Sequence, residues 1–363
     1  MFAKSLNFRD FFSPIITADV FDFWAGECRS LLTWQRPLAR IVDRRIEAKN
    51  TVTLELKPNK HFLGFKAGQH INVTVEVKGV RLTRCYSLTN IPNKKGLLAI
   101  TVKAVEHGKV SSYLCQQVKV GDIVEVSQAF GEMTLDTTPS KPSVFLAAGS
   151  GITPLMSLIR QLTAEQLTQP ITLIYWTKTR AELCFVQELR HLSANHTNFH
   201  VTFALTNETH LLAGELNRRP DTELLTQIIP NIDTSQVFAC GNTGFVDSIR
   251  QLIGQKCSSF QAESFTPLVF SNVVSPALGT VRVQLQASKK TLELSAGQPL
   301  LNALEAQGIE VSSGCRMGIC NTCACAKLSG TTQDLTTGEF TTEPQSALRL
   351  CVARANSDLI LDL

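Results

Sequence analysis

The sequence predicts a multidomain fold: an antiparallel β-barrel, a doubly wound α/β domain and a small α+β domain, behind a short N-terminal extension. Three observations predict it. Short alternating segments at even spacing run from about Pro37 to Thr138, strand–helix alternation runs from Pro142 to about Pro267, and the remainder holds two strands, a helix and a cysteine-rich loop. A length of 363 residues suits two or three domains. The boundaries expected are 1–37 for the extension, 38–139 for the barrel, 140–267 for the α/β domain, 268–278 for a linker and 279–363 for the last domain.

In the barrel the expected strands are VTLELKP, HINVTVEV, VRLTRCYSL, LLAITVKAV and DIVEVSQAF, punctuated by turns such as Lys78-Gly79 and Lys95-Gly96. SSYLCQQV reads as a helix among them. In the second domain SVFLAAG, ITLIYWT, FHVTFAL, SQVFACG and SSFQAESF read as strands, with helices at ITPLMSLIRQL, AELCFVQELRHL and NTGFVDSIRQLI. That alternation predicts a parallel, doubly wound sheet. In the last domain VRVQLQ and TLELSA precede a helix, PLLNALEAQ, with Pro299 in its first turn and Gly308 just past its end.

Composition narrows the class. Hydrophobic residues make up 44% and charged residues 18%, which is ordinary for a chain with real cores. A net charge of +4, dispersed along the chain, does not suggest a nucleic-acid partner. No apolar run is long enough to span a bilayer, and Arg9 and Asp10 interrupt any secretory core. Eleven cysteines, an odd number, fit a reducing compartment. The expected location is cytoplasmic, with peripheral association at the inner membrane face as a further expectation.

The cysteines carry the strongest chemical signal. Cys315, Cys320 and Cys323 in CRMGICNTC follow the spacing C-x4-C-x2-C, and Cys351 follows after 27 intervening residues. This is the thiolate pattern that holds a plant-type [2Fe–2S] cluster. Structural zinc favours two separated pairs, which this spacing does not supply. Cys325, in an alternating stretch, reads as core packing.

Two weaker signals accompany it. GSGITP follows a predicted strand and opens a helix, so Gly149 and Gly151 permit close approach of a pyrophosphate, and Thr153 offers a hydroxyl. CGNTGF stands at the end of a later strand of the same sheet. In the barrel RCYSL offers a cation at Arg84, an aromatic wall at Tyr86 and a small hydroxyl at Ser87, and HGKVSSYL opens a helix. Each segment taken alone also reads as strand core or helix cap.

In this order the motifs resemble the ferredoxin–NADP reductase superfamily fused to a C-terminal plant-type ferredoxin domain, from about residue 38 to the end. The resemblance implies a β-grasp fold for the last domain, and FAD in the barrel. Arg84, Tyr86 and Ser87 would contact the flavin, with Cys85, Leu88 and Lys103 beside it. Gly108, Lys109, Val110, Ser111 and Ser112 would take the FAD pyrophosphate. Gly149, Ser150, Gly151, Ile152 and Thr153 would lie against NAD(P)H, with Cys240 and Gly241 beside the nicotinamide. Glu263 and Phe265 match the family's acidic-x-aromatic end of this domain; where the family often has Tyr over the flavin, this chain has Phe265.

The implied chemistry is hydride transfer from NAD(P)H to flavin and single-electron delivery to the cluster. Ser87, Cys240, Glu263 and Phe265 are the candidate reaction-site residues, by orientation rather than acid–base work. Lys178 and Arg180, after the second strand of the nucleotide domain, lean the choice toward NADPH over NADH, unless both are solvated surface charges. The extension and the GVRLTRCYSLTN and ITVKAVEHGKVSSYL segments resemble bacterial electron-transfer partners of membrane fatty acyl-CoA desaturases. A reductase for an aromatic-ring or alkane oxygenase, and a redox sensor, are the alternatives. The aromatic residues Phe21, Trp24, Leu31 and Trp34 either pack on the barrel or offer a docking surface.

Overall fold

The structure is a computed structural model that describes residues 30–135, 141–165, 168–265 and 279–363. The expected linker at 268–278 and the extension's Phe21 and Trp24 lie outside the described residues.

The first domain is a six-stranded antiparallel barrel. Its elements are β1 (Leu38–Ala48), β2 (Thr51–Pro58), β3 (His70–Val77), β4 (Val80–Ser87), β5 (Leu98–Lys103), α1 (Lys109–Gln116) and β6 (Ile123–Val126), in the sheet order β4-β3-β6-β1-β2-β5. A bridge between Leu88 and Ile100 brings the end of β4 back to β5. Period-two alternation explains the strands: Ile71, Val73 and Val75 of β3 enter the core, where they meet Leu54, Leu56, Ile100 and Leu114 of α1. The turn between β3 and β4 consists of Lys78 and Gly79, both at positive φ (53° and 77°), the geometry of the tightest hairpins. β1 is not anticipated by the sequence. Its buried positions are few, Ala39 and Ile41, and a register shift between Ile41 and Asp43 is followed by exposed charges that erase the alternation.

Residues 31–36 are tied to the barrel by Asn59, whose Nδ2 donates to the carbonyls of Leu31 and Arg36. In this stretch Leu31 and Trp34 are part-buried, while Leu32 stands exposed. This stretch packs on the barrel.

The second domain is parallel throughout. β7 (Ser143–Ala148), α2 (Ile152–Ala164), β8 (Ile171–Thr177), α3 (Val186–Asn195), β9 (Phe199–Leu205), β10 (Glu215–Leu216), α4 (Thr222–Ile228), β11 (Gln236–Gly241), α5 (Thr243–Ile253) and β12 (Ser259–Ser264) give the order β10-β9-β8-β7-β11-β12. The chain builds outward from β7 in one direction, then returns to the other side of β7 with β11. The loops that leave β7 and β11 therefore diverge at a topological switch point, where ligands bind in such sheets. Two elements, β10 and α4, are too short to be read from the sequence. The helix expected from Ala181 begins at Val186, because Leu183 is extended and Phe185 takes a left-handed conformation (φ 57°) that buries its ring.

These two domains share a core. Ala67 and Met133 of the barrel pack into the cluster formed by Phe145, Leu155, Tyr175 and Phe238. Polar contacts reinforce the seam: Gly68 N–H donates to Ser157 Oγ at 2.7 Å, and Glu47 accepts from Phe185 N–H at 3.0 Å.

The third domain contains β13 (Thr280–Leu285), β14 (Lys290–Ser295), α6 (Leu300–Ala306), β15 (Ala324–Ser329), β16 (Thr332–Asp334), β17 (Phe340–Thr341), β18 (Gln345–Arg349), β19 (Ala353–Ala355) and β20 (Leu359–Asp362). A five-stranded sheet, β14-β13-β20-β15-β18, carries α6 on one face, and β13 and β20 run parallel. Cys325 is buried in this core, as is Val283. The alternation that buries Cys325 also buries Lys327, whose ammonium donates to the Thr341 carbonyl at 2.6 Å. Burial lowers the Lys327 pKa, and Glu343 opposes that shift.

Candidate functional site

The cysteine loop is built for anionic sulfur. Cys315 Sγ accepts from the backbone N–H groups of Met317, Ile319 and Cys320 at 3.3–3.4 Å, and Cys320 Sγ accepts from Cys315 N–H at 3.2 Å and from the Thr322 hydroxyl at 3.1 Å. Arg316, Gly318 and Asn321 sit at positive φ, which turns these amides inward. Gly314 is required here, since a Cβ would lie 2.9 Å from Cys320 Sγ.

The sulfurs influence one another in two pairs, Cys315 with Cys320 and Cys323 with Cys351. Within each pair the interaction favours one thiolate. It pulls Cys320 and Cys323 below the usual thiol range and pushes their partners up. Four thiols in two pairs, ringed by N–H donors, fit a group with two irons and two ligands on each. Two clamps missed in the sequence hold the loop: Arg316 forks onto Glu305 of α6 at 2.6 and 2.9 Å, and Arg349 Nη1 donates to Gly318 O at 2.7 Å.

On the barrel, β4 places Arg84 and Tyr86 on one face and Cys85 on the other. Arg84 is exposed, with Nη1 on its neighbour's carbonyl, and Tyr86 packs against the barrel core. Burial, then the Cys115 thiol, raises the Tyr86 phenol. Ser87 and Leu88 are buried at the strand end. Lys109 is exposed and Val110 buried at the start of α1, and Ser112 lies between those extremes. Ser111 Oγ accepts from Val105 N–H at 3.3 Å and donates to Gly108 O at 3.4 Å, so this hydroxyl closes the helix's first turn instead of facing outward. Lys103 is likewise engaged: its ammonium pairs with Glu182 at 2.6 Å across the seam between the domains.

At the switch point the two glycine loops touch. A Cβ on Gly151 would lie 2.0 Å from the Cys240 carbonyl oxygen, so only glycine allows α2 to start this close to β11. Gly241 is sealed by Phe245 and Ala148. Ser150 is exposed, while Ile152 and Thr153 are buried, and the Thr153 hydroxyl donates to Ser150 O at 2.9 Å, which takes it out of the expected donor role.

Cys240 lies under this floor. It is fully buried with its sulfur 3.6 Å from Met133 Sδ, and burial, then the Glu263 carboxylate, pushes its thiol up and keeps it neutral. Covered by Met133, the thiol does not face the cleft as the sequence reading expects.

Glu263 and Phe265 meet a residue that the sequence reading missed, His70. Its Nε2 stands 2.9 Å from Glu263 Oε2, close enough for an ion pair, although the atoms are not aligned for a hydrogen bond. The imidazole stacks on Phe130 (6.1 Å) and meets the edge of Phe265 (6.3 Å, 84°). His70 escapes notice because it starts HINVTVEV in a place that an apolar residue would suit. A cavity of about 550 Å³ opens beside this cluster, lined by Phe130 and Met133 of the barrel, Glu263 of the second domain, and Met317 and Arg349 of the third.

Of the two cations after β8, Arg180 is spoken for. It donates from Nε and Nη2 to the Glu215 carboxylate at 2.9 and 2.6 Å, and Arg190 reaches the same group at 3.2 Å. Lys178 stands exposed. The Arg180 bond holds the buried Glu215 carboxyl below the usual range. A depressed folded-state pKa contributes stability that is complete above the unfolded value and is lost as pH falls through the folded one. Glu215→Gln is therefore expected to unfold at a lower temperature than wild type at pH 7, with the gap closing as pH falls below about 4, the carboxylate range. Thermal melts across pH check this.

Comparison with known proteins agrees with the domain order. Residues 39–135 match the oxidoreductase FAD-binding domain, 145–251 the oxidoreductase NAD-binding domain and 283–356 the 2Fe-2S iron-sulfur cluster binding domain. The chain is 30% identical to an NADPH oxidoreductase of Mycobacterium tuberculosis, over 89% of this chain and 83% of that one. It is 25% identical to a glycine betaine monooxygenase reductase subunit of Pseudomonas aeruginosa, over 82% and 87%. Its fold resembles that of phthalate dioxygenase reductase, with a TM-score of 0.60 and 27% identity, covering 90% of this chain and 97% of that structure. With three cofactor domains in this order and a relative at this identity over most of both chains, the protein belongs to the ferredoxin–NADP reductase superfamily of FAD- and NAD(P)H-binding oxidoreductases that carry a C-terminal [2Fe–2S] ferredoxin domain.

Proposed function

We propose that this reductase oxidises NADPH and delivers electrons singly to a membrane di-iron fatty acyl-CoA desaturase. The observation that carries the electron route is a convergence of side chains. Cys85 of β4 lies opposite Asn72 of β3, Asn72 Nδ2 donates to Thr322 of the cysteine loop at 3.2 Å, and Glu263 at the end of β12 lines one cavity with Ile319 of that loop. One strand thus stands between the flavin-side residues Arg84 and Tyr86 and the cysteine loop.

FAD held by the barrel would supply the chemistry that links two-electron hydride uptake to the one-electron delivery a [2Fe–2S] cluster requires. The chain's own residues supply placement. Gly149 and Gly151 admit the nucleotide pyrophosphate to the start of α2, where free N–H groups and the helix dipole favour an anion. Ser87 offers a hydroxyl at the end of β4, and Phe265, held by its N–H on Gly241 O at 2.9 Å, offers an aromatic ring to stack on the flavin. Glu263, with its Oε2 2.9 Å from His70 Nε2, stands at the meeting point.

Lys178 is the basic group left to read a 2′-phosphate. Lys178→Glu is expected to raise the KM for NADPH about tenfold, the worth of one hydrogen bond to a charged group, and to leave that for NADH within about twofold. Steady-state kinetics with both nucleotides decides it.

The desaturase reading rests on the resemblance of the N-terminal extension, whose aromatic-rich run ends in LLTWQRPLARIV, and of the two barrel segments. Relatives named as monooxygenase reductase subunits support the second reading, an oxygenase acceptor. The test is NADPH-dependent desaturation of a saturated acyl-CoA by host membranes, with and without the purified protein. Unsaturated product only on addition is the expected result. Brisk cytochrome c reduction without product would discard the desaturase and leave the oxygenase.

A further inference from the structure

We propose that Asn72, on the outer face of the barrel, docks the cysteine loop and directs the Thr322 hydroxyl hydrogen onto the Cys320 sulfur. This rests on the proposed flow of electrons from flavin to cluster, and it adds a positioning residue for that step.

The geometry begins in β3. Ile71 and Val73 face the barrel core, so Asn72 faces outward, directly opposite Cys85 of β4. Both backbone groups of Asn72 are fixed by one residue: its N–H donates to Ser127 Oγ at 2.9 Å and its carbonyl accepts from Ser127 N–H at 2.9 Å. The residue is 8% exposed, and its Oδ1 is buried with no partner among the described residues. A buried amide that leaves its oxygen unsatisfied is destabilising unless it serves something else.

What it serves lies 250 residues away. Asn72 Nδ2 donates to Thr322 Oγ1 at 3.2 Å, and Thr322 Oγ1 donates to Cys320 Sγ at 3.1 Å. A hydroxyl has one hydrogen, so Thr322 can give it to sulfur only while its other neighbour does not accept it. The amide nitrogen meets that condition. Gly314 keeps the contact close, since a Cβ there would stand 3.2 Å from Asn72 Nδ2 and 3.0 Å from Thr322 Oγ1, so that both groups would have to give way. The barrel therefore reaches a cluster-loop sulfur through two hydrogen bonds. Hydrogen bonds to sulfur are among the terms that set the potential of such a cluster.

Asn72→Asp discriminates this role from mere packing. The carboxylate accepts where the amide donates, so it draws the Thr322 hydrogen away from Cys320 at almost unchanged volume. The experiment uses the full holoprotein with both cofactors, in wild type, Asn72→Asp, Asn72→Ala and Thr322→Val. Anaerobic stopped-flow follows flavin bleaching and cluster reduction separately, and a redox titration followed by electron paramagnetic resonance gives the cluster potential.

The expected result for Asn72→Ala and Asn72→Asp is flavin reduction by NADPH within about twofold of wild type. Cluster reduction should slow by about tenfold, the usual weight of such a supporting contact, and the potential should move lower. Thr322→Val should lower the potential too, and combining it with Asn72→Ala should add little, because the two act on one path. Solution scattering should show a more extended particle for Asn72→Ala. Wild-type potential and cluster reduction in Asn72→Asp and Thr322→Val would overturn the proposal. A wild-type protein whose flavin bleaches while its cluster stays oxidised would instead overturn the electron route on which the proposal rests.

Discussion

Gly151→Ala is expected to slow NADPH-dependent flavin reduction by about a hundredfold or more. The added methyl would stand 2.0 Å from the Cys240 carbonyl oxygen, 2.3 Å from its carbon and 2.7 Å from the Gly241 nitrogen, all backbone atoms of a central strand. No rotamer relieves such a contact, so the start of α2 must retreat from β11 by about 1 Å. A displacement of that size at a reacting centre costs about a hundredfold when orientation carries the rate. Gly149→Ala is the control. Its Cβ would meet nothing within 4 Å, and only the left-handed φ of 55° is strained, which costs about 1–2 kcal/mol. Stopped-flow reduction of both variants, with flavin content and melting temperature measured alongside, separates a misplaced nucleotide from a misfolded domain. Equal effects of the two substitutions would mean that contact with β11 is not what Gly151 protects.

Cys351→Ser should split the protein's two half-reactions. Cys351 pairs with Cys323, and the two cysteine pairs would supply the two thiolates that each iron requires. Loss of one ligand should remove the cluster's visible and paramagnetic signals and cut cytochrome c reduction at least about a hundredfold, while ferricyanide, which takes electrons from the flavin, is still reduced. The matched control is Cys325→Ala. That thiol is buried in the domain core, and burial, then the neighbouring Cys323 and Asp362 charges, pushes it up to about 12, so it stays a neutral packing group. The cluster should survive its loss. If Cys351→Ser abolished flavin reduction as well, the hydride site would depend on the ferredoxin domain.

Much of the architecture was legible because it is written in local patterns. HINVTVEV alternates and SVFLAAG is uniformly apolar, and these two signatures separate an antiparallel barrel strand from a strand buried on both faces. The glycine of GSGITP and the four-cysteine spacing were legible because a close approach and a ligand set restrict residue type at fixed intervals. What escaped notice depends on partners distant in sequence. Asn72 and Thr322 carry no motif, and His70 joins Glu263 and Phe265 only after the two domains close on each other. Arg180 was legible as a cation near the nucleotide, but its engagement by Glu215 of β10 was not, because β10 is too short to announce itself.

The packing of the cores bears on how this protein holds together as a machine. The barrel and the nucleotide domain share a cluster through Ala67 and Met133, whereas among the described residues the ferredoxin domain's cluster draws on those from Val281 onward. Three cofactor domains therefore amount to two cooperative units. The hydride-handling pair should melt as one body, and the ferredoxin domain should be able to unfold and recover on its own. Damage to the cluster by oxygen is then a local event: a chain that has lost its iron keeps an intact flavin reductase, ready to resume service once the cluster is rebuilt.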